Sequence, residues 1–357
     1  MVPWLSGPAA ADPGRVHTEG RMARVALEEA REQVAALLGA RNREVVFTSG
    51  ATEAINAAVY GATAAAPGLP VVAANVEHSA VVESSRRRAP VITVPVDTTG
   101  RIDVDAVRAA LAADERPALV HCQWANHEVA TLQPVADIVA ACREAGVLVH
   151  VDAAQAAGRV AIDFGHLGAD LLSVSAHKVG GPKGAGALLI RRGLRLEALI
   201  VGGEQERARR GGMENVPALI GFGAACAALA GGWAEEAATN AAQSARLRDA
   251  ATAVAGVTPF GAPSTDQRLP HIVCVGIDGV EAEPVLLGLD QRGVAAHSGS
   301  SCSSESLEPS PVLEAMGVEA ERSLRLSVGW STTDADIDAF VAAFPDVVAR
   351  LRALAGD

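Results

Sequence analysis

Lys178 and Lys183 are the only lysines in a chain of 357 residues, and the other 28 basic residues are arginines. Arginine keeps its proton in a protein, whereas a lysine amine can lose its proton and act as a nucleophile. Lys178 comes shortly after the apolar run 171–174, and Lys183 lies in a turn rich in glycine and proline. We predict that Lys178 can form a Schiff base with an aldehyde or a carbonyl compound and that Lys183 is solvated.

A carboxylate follows another apolar run of the sequence. Asp152 comes directly after residues 147–151, and Gln155 follows three residues later. A carboxylate at the end of a strand can pair with the protonated pyridine nitrogen of a cofactor. Such a cofactor needs this pairing in order to withdraw electrons from a substrate. A residue that caps the next helix would occupy the same position, so Asp152 alone leaves both interpretations open.

Two further positions could bind a cofactor. Gly50, Ala51 and Thr52 lie between a predicted strand and a predicted helix. Small residues there allow backbone N–H groups to approach a phosphate at the positive end of the helix, and Thr52 adds a hydroxyl group. His78 precedes a helix that begins near Ser79, so its imidazole either stacks on a cofactor ring or has a structural role.

Cys302 differs from the other four cysteines of the chain. It lies in a stretch of serine and glycine, 298–306, which we predict to be a mobile loop with an accessible thiol. The other four cysteines lie in apolar or helical runs and are predicted to belong to the core. Arg325 interrupts an apolar strand. It is predicted to form a forked pair with a carboxylate, in which two guanidinium N–H groups bind the two carboxylate oxygens.

Composition excludes several classes of protein. The net charge of −12 argues against binding to nucleic acid or to an anionic membrane. No apolar run approaches the roughly 20 residues of a membrane helix, and we expect no secretory signal. His121, His127 and Glu128 lack the spacing of a metal site, so no metal is predicted. An odd number of scattered cysteines favours a cytoplasmic protein without disulfides.

The pattern of apolar runs predicts an α/β fold. Strands are expected near 45–47, 71–73, 91–94, 118–120, 147–151, 171–174 and 187–190, with helices such as 103–113 and 134–145 between them. Because most runs are apolar without alternation, we expect a mainly parallel sheet that helices cover on both faces. One long alanine-rich helix is predicted over 217–254, followed by a smaller α/β unit. We place a large domain at 15–233 and a small domain at 234–357, and residues 1–14 are assigned to the small domain.

Six strings occur in the order that is typical of one enzyme family. They are 48–53, 77–78, 126–128, 150–155, 175–178 with 181–184, and 298–302 leading to 307–310. Together they resemble the cysteine desulfurases that depend on pyridoxal 5′-phosphate (PLP), which belong to class V of the aminotransferase fold. The resemblance implies the PLP-dependent transferase fold, with a large PLP-binding domain and a small domain that carries the Cys302 loop.

The resemblance also implies an activity. L-cysteine would be converted to L-alanine, and its sulfur would remain as a persulfide on Cys302 before transfer to an acceptor protein. The long loop is similar to that of the housekeeping branch, which supplies iron–sulfur cluster assembly and tRNA thiolation. The enzyme would be a homodimer.

Roles for individual residues follow from the same resemblance. Catalysis is assigned to Lys178, Cys302 and His78; cofactor binding to Ala51, Thr52, His78, Asn126, Asp152, Gln155, Ser175, His177 and Lys178; and binding of the substrate carboxylate to Asn126 and Arg325. Two alternatives stay open at this point. One is a related PLP-dependent selenocysteine lyase or C–S lyase in which Cys302 carries no sulfur. The other is a non-catalytic sulfur-relay partner.

Overall fold

A mixed sheet of seven strands forms the centre of the larger part of the protein. The computed structural model describes residues 1–6, 11–298 and 309–355, and within these ranges the strand order is β1-β7-β6-β5-β4-β2-β3. The strands are β1 (Val45–Thr48), β2 (Val71–Ala74), β3 (Val91–Val94), β4 (Leu119–Gln123), β5 (Leu148–Asp152), β6 (Leu171–Ser175) and β7 (Gly186–Ile190). β7 runs antiparallel to β1 and β6, and the remaining pairs are parallel. The predicted α/β fold with a mainly parallel sheet is confirmed.

Helices connect these strands and cover the sheet. They are α1 (Thr18–Leu37), α2 (Ala51–Ala65), α3 (Ser79–Arg88), α4 (Val104–Leu111), α5 (Val135–Ala145), α6 (Phe164–Leu167), α7 (Gln205–Ala208) and α8 (Val216–Ala230). Most strand residues are buried, because apolar side chains on both faces of the sheet meet apolar faces of helices.

The alanine-rich stretch is two helices and not the single helix that we predicted. α8 ends before Gly231, and α9 (Trp233–Thr252) begins after Gly232, at an angle of 78°. Two consecutive glycines make a helix interior unfavourable, so the chain bends there. α8 then packs on α1, whereas α9 packs on elements of the smaller sheet. No single helix in the described residues is long and apolar enough to cross a membrane, and α8 and α9 pass that test only as a bent pair.

A second sheet lies in the C-terminal part of the chain. In the described residues its order is β10-β11-β9-β8, and every pair is antiparallel. Its elements are β8 (Val257–Pro259), β9 (Ile272–Ile277), α10 (Ala282–Asp290), β10 (His297–Ser298), α11 (Pro311–Ala315), β11 (Ser323–Ser327) and α12 (Asp334–Ala355). A separate apolar cluster joins α9, α10 and α12 to this sheet. Val312, Leu313 and Met316 instead pack in the apolar cluster of the seven-stranded sheet. The proposed boundary near residue 234 stays a prediction.

A buried ion pair fixes the chain next to β1. Arg31 of α1 donates to both carboxylate oxygens of Glu206, at 2.5 and 2.7 Å, and the Phe47 N–H donates to the same carboxylate at 2.8 Å. Glu206, Arg207 and Ala208 all have a positive φ, which costs roughly 1–2 kcal/mol for each residue other than glycine. The hydrogen bonds of the Glu206 carboxylate hold this strained turn against the end of β1.

Two histidines face each other inside the sheet. His121 of β4 and His150 of β5 are neighbours in the parallel register, and their Nδ1 atoms lie 2.9 Å apart. Each Nε2 atom is buried, and neither has a hydrogen-bond partner among the residues that the structure describes. Burial lowers the pKa of His121 to about 3 and the pKa of His150 well below its ordinary value, so both rings are neutral in the folded protein.

This pair makes the fold sensitive to acid. The unfolded chain binds protons on these rings below a pH of about 6.5, whereas the folded chain does not, so stability is lost as the pH falls from about 6.5 towards 3. Between about pH 6.5 and 5, His121 alone accounts for about 2 kcal/mol. We expect the double variant His121→Leu/His150→Leu to lose less stability than the parent over this range, as measured by urea unfolding.

A matched control is His166→Leu, since His166 is exposed. Its acid sensitivity should equal that of the parent. A double variant that is as sensitive to acid as the parent would show that the buried pair does not cause the effect.

Candidate active site

A cavity of about 630 Å³ opens beyond the carboxyl ends of β5 and β6. Ligands of α/β sheets bind at this edge, because the loops that follow parallel strands converge there. The residues that line the cavity include most of those predicted from the sequence: Ala51, Thr52, His78, Asp152, Gln155, Ser175, His177, Lys178 and Arg325. The fold therefore brings together side chains that are far apart in the chain.

Lys178 is placed in the cavity by a tight turn. It follows β6 within the 3₁₀ helix Ala176–Val179, which ends at Gly180 with a φ of 78°. Glycine adopts this conformation without steric cost, so the chain can turn directly after the lysine. Ala176 and Val179 are buried and anchor the turn, whereas the Lys178 side chain is exposed. Lys183 is also exposed, as predicted, but it lines the same cavity.

Asp152 ends β5 with one carboxylate oxygen held in place. Its Oδ1 atom accepts hydrogen bonds from the Ala154 N–H at 3.0 Å and from the Ser173 hydroxyl at 3.1 Å. Within the described residues its Oδ2 atom has no hydrogen-bond partner, and the side chain lines the cavity. The carboxylate is therefore held in one orientation, and its Oδ2 atom can accept a hydrogen bond from a ligand.

The amino end of α2 provides a site for an anion. The first hydrogen bond of this helix runs from the Ala54 N–H to the Gly50 carbonyl, so the N–H groups of Ala51 and Thr52 precede it. A Cβ atom at Gly186 of β7 would lie 2.6 Å from the Gly50 Cα atom, so only glycine allows this close approach. Backbone donors and the positive end of the helix dipole suit a phosphate group.

Two side chains lie beside this helix end. The Ser175 hydroxyl and the His177 Nδ1 atom are 2.8 Å apart. Burial and the positive charges of Lys178 and Lys183 lower the pKa of His177. His177 is therefore a neutral hydrogen-bonding group at neutral pH, and the lysines supply the positive charge.

Two imidazoles form another wall of the cavity. His78 accepts a hydrogen bond from the Ala80 N–H at 3.0 Å and so caps α3, which matches the structural role considered for it. Its ring also lines the cavity and lies edge to face with the ring of His127, with 5.4 Å between the centroids. The two interpretations of His78 are thus compatible, because Nδ1 caps the helix while the ring faces the cavity.

Asn126 does not line the cavity. It is fully buried, and its amide binds backbone groups on three sides. Its Nδ2 atom donates to the Val76 carbonyl at 3.2 Å, and its Oδ1 atom accepts the N–H groups of Glu128 and Val129 at 2.8 and 2.9 Å. In this structure Asn126 shapes the loop after β4, and its binding of cofactor and substrate stays a prediction.

Arg325 reaches the cavity from the smaller sheet. It lies on β11 between His297 of β10 and Cys274 of β9, and it donates to the His127 carbonyl at 3.2 Å. The guanidinium group therefore connects the second sheet to the loop after β4. Its position in the cavity wall suits the binding of a substrate carboxylate.

The polar residues of the cavity wall that sequence reasoning missed include Gln123 and His127. Gln123 is the last residue of β4 and pairs in register with Asp152. The rule that selected Asp152, a polar residue at the end of an apolar strand, would also have selected Gln123. His127 belongs to the string 126–128 that resembles the family, but within that string we assigned a role to Asn126 alone. The described residues contain no group of three or more metal-ligating side chains.

The four cysteines in the described residues are buried, as predicted. Burial raises the pKa of Cys142, Cys226 and Cys274 to about 12 and that of Cys122 well above its ordinary value. None of these four is a thiolate at neutral pH, and the thiolate is the nucleophilic form. Cys302 lies outside the described residues.

Comparisons with known proteins identify the family of the chain. The family model "Aminotransferase class-V" matches residues 7–340. A cysteine desulfurase of Gluconacetobacter diazotrophicus is 41% identical over 347 residues, which cover 94% of this chain and 86% of that protein. The structure of a NifS-like protein has a TM-score of 0.89 at 29% identity and covers 98% of this chain and 94% of its own.

A further solved structure is described as SspA in complex with cysteine. It is 30% identical, has a TM-score of 0.78, and covers 92% of this chain and 93% of its own. The match to the family model, the identity to the curated relative and the shared fold agree with one another. The chain belongs to the class-V aminotransferase family, among its cysteine desulfurases.

Proposed function

We propose that the protein uses PLP to remove sulfur from L-cysteine, which gives L-alanine and a persulfide on Cys302. The observation that carries this proposal is the meeting of Lys178, Asp152 and the amino end of α2 in one cavity. Each of the three matches a different part of PLP, namely its aldehyde, its ring nitrogen and its phosphate. Enzymes of this family depend on PLP.

The residues of the cavity fit this cofactor. The Asp152 Oδ2 atom would accept the ring N–H, and Gln155 would bind the ring oxygen. The N–H groups at the start of α2, together with the hydroxyls of Thr52 and Ser175, would bind the phosphate. When it is bound, PLP supplies an electron sink for the electrons left at Cα when a proton is removed.

His78 and His177 complete the cofactor site in this proposal. His78 would stack on the ring, since its imidazole lines the cavity while Nδ1 caps α3. His177 would donate to the phosphate, and its contact with Ser175 orients both side chains. Both rings are already held in place, His78 by the Ala80 N–H and His177 by the Ser175 hydroxyl.

Arg325 would hold the substrate. A guanidinium group can bind a carboxylate through two parallel hydrogen bonds, and Arg325 lines the same cavity as the proposed PLP-binding residues. The complex of SspA with cysteine supports an amino-acid substrate for this chain. The amine of Lys178 would then take the proton from Cα and return it during the reaction.

Sulfur transfer would use Cys302. Its thiolate attacks the sulfur of the substrate, and a new S–S bond forms while the Cβ–S bond breaks. The electron pair of the broken bond stays on Cβ, which takes up a proton to give L-alanine. The buried thiols of the described residues do not provide such a nucleophile, because their pKa values are raised.

The finer assignments are also proposals. We propose that a sulfur-acceptor protein takes the persulfide sulfur for iron–sulfur cluster assembly or tRNA thiolation, that the enzyme works as a homodimer, and that it is cytoplasmic, where thiols remain reduced.

Incubation of the PLP-loaded protein with L-cysteine tests this function. We expect equal amounts of L-alanine and of protein-bound persulfide in the first turnover, measured by amino-acid analysis and by the mass of the intact protein. Pyruvate and ammonia as products would identify a C–S lyase. Turnover of L-selenocysteine without a persulfide would identify a selenocysteine lyase, and a protein that binds no PLP would contradict the proposal.

A further inference from the structure

Glu77 is a buried carboxyl group directly before His78. Its residue is 4% exposed, and its Oε1 atom accepts the Gln123 N–H at 2.8 Å. Its Oε2 atom is buried and has no hydrogen-bond partner in the described part of the chain. An ionised carboxylate oxygen without a donor is unfavourable in such a place, whereas a protonated carboxyl group avoids the cost of burying a charge.

Glu77 also lies behind the wall of the PLP cavity. The Gln123 that it binds is in register with Asp152, and the Trp124 N–H donates to the Asp152 carbonyl at 2.7 Å. The carboxyl group of Glu77 therefore holds the end of β4, against which the end of β5 is aligned. Any charge on Glu77 acts on the same strand ends that carry the PLP-binding residues.

Titratable groups from several elements surround Glu77. A second cavity of about 680 Å³ is lined by Glu77 together with groups from α3, the loop after β4 and α11. The groups are Asp152 on β5, Cys122 on β4, His127 and Glu128 in the loop, Glu83 and Arg86 on α3, and Glu314 on α11. His127 lines both cavities, and Glu77 lines the second one.

These surroundings favour the protonated form. Burial is the largest cause and raises the pKa of Glu77 to about 8; the negative charge of Asp152 raises it as well. The Gln123 N–H and His127 act in the opposite direction but are weaker than burial. Glu77 is therefore uncharged at neutral pH, although glutamate is ordinarily ionised there.

We propose that Glu77 is a positioning residue that keeps a proton behind the PLP cavity, so that among the described residues at the joined ends of β4 and β5 Asp152 alone carries a negative charge. This inference rests on the proposed function, because it concerns the residue that faces the ring nitrogen. Loss of the Glu77 proton adds a second negative charge next to Asp152 and His127. The bound cofactor then experiences a different electrostatic field. The ionisation of Glu77 therefore sets the upper pH limit of the enzyme's activity.

The first test uses protein without PLP and does not depend on activity. The folded protein keeps a proton on Glu77 that the unfolded chain loses above a pH of about 4.5, so stability falls as the pH rises from about 4.5 to 8. Glu77→Gln has the same shape, can accept the Gln123 N–H and cannot ionise. We expect the Tm of this variant, relative to the parent, to rise over this range and then to stay constant.

Glu44→Gln is the matched control. Glu44 is another buried glutamate, and its two oxygens accept the N–H groups of Arg41 and Arg192. It does not line the PLP cavity. We expect its Tm to remain at a constant offset from the parent between about pH 7 and 8. If the Tm of Glu77→Gln keeps an equally constant offset from the parent over the same pH range, the inference is overturned.

The second test follows the absorbance of bound PLP during a titration with base. We expect a step in the parent with a midpoint near pH 8, its absence in Glu77→Gln, and its retention in Glu44→Gln. If the absorbance step near pH 8 persists in Glu77→Gln, the coupling between Glu77 and the bound PLP is overturned. If Glu77→Gln does not fold, Asp152→Asn replaces it in the Tm measurement. Removal of that charge should move the end of the stability loss to lower pH, and an unchanged profile would overturn the inference.

These tests separate two kinds of failure. A protein that binds no PLP contradicts the proposed function, yet its Tm profile still reports whether Glu77 holds a proton. A protein that desulfurates cysteine while its Tm profile is unaffected by Glu77→Gln keeps the function and loses the inference.

Discussion

Lys178→Arg lowers the rate of L-alanine formation by about 10⁴-fold or more, according to the mechanism proposed above. Arginine keeps the positive charge and much of the length of lysine, but it does not lose its proton in a protein and cannot condense with an aldehyde. The variant also lacks the base that removes the Cα proton, and such proton transfer alone contributes roughly 10²–10⁴-fold. The measurement is L-alanine released from L-cysteine with PLP in excess.

Lys183→Arg is the matched control, since both lysines line the cavity and the same substitution is made. We expect this variant to retain activity within about tenfold of the parent, because a cation near the cavity is all that Lys183 supplies. An inactive Lys183→Arg variant together with an active Lys178→Arg variant would transfer the role to Lys183.

Cys302→Ala is expected to abolish the protein-bound persulfide and to reduce desulfuration by a factor on the order of 10² or more. The reason is that the other four cysteines are buried and their thiols stay protonated, so none can replace the missing thiolate. The measurement is the mass gained by the protein after a single turnover with L-cysteine. Binding of PLP should not change.

Cys226→Ala controls for the loss of a thiol. Cys226 is buried in α8 and is not among the residues that line the cavity. It should leave both the persulfide and the rate of desulfuration near the values of the parent. Persulfide that persists in Cys302→Ala, or unchanged turnover without any persulfide, would exclude Cys302 as the sulfur carrier.

The strand ends were predictable from the sequence for a simple physical reason. A parallel sheet that is covered on both faces needs apolar runs, and a polar residue that follows such a run lies at the edge where ligands bind. This reasoning located Asp152 and Lys178, and the structure places both in one cavity. The resemblance to a family was needed to group His78, Thr52 and Arg325 with these two residues. The pattern of apolar residues does not show which loops come together in the fold.

Other features depend on tertiary contacts that no local pattern encodes. Asn126 is held by the Val76 carbonyl, which follows β2, and by N–H groups of its own loop, and this burial is visible only when the chain is folded. The raised pKa of Glu77 and the lack of a hydrogen-bond partner for its Oε2 atom within the described residues likewise depend on what surrounds the group. By contrast, the bend at Gly231 and Gly232 was readable from two consecutive glycines, and the helical composition around them concealed it.

Reduction with borohydride in the presence of PLP, followed by peptide mapping, tests the central claim most directly. The reagent converts a bond between PLP and a lysine into a stable pyridoxyl group, and this chain has only two lysines to carry it. We expect the pyridoxyl group on the peptide that contains Lys178, and none on that peptide in Lys178→Arg. A pyridoxyl group on Lys183 alone, or on neither lysine at saturating PLP, would contradict the account.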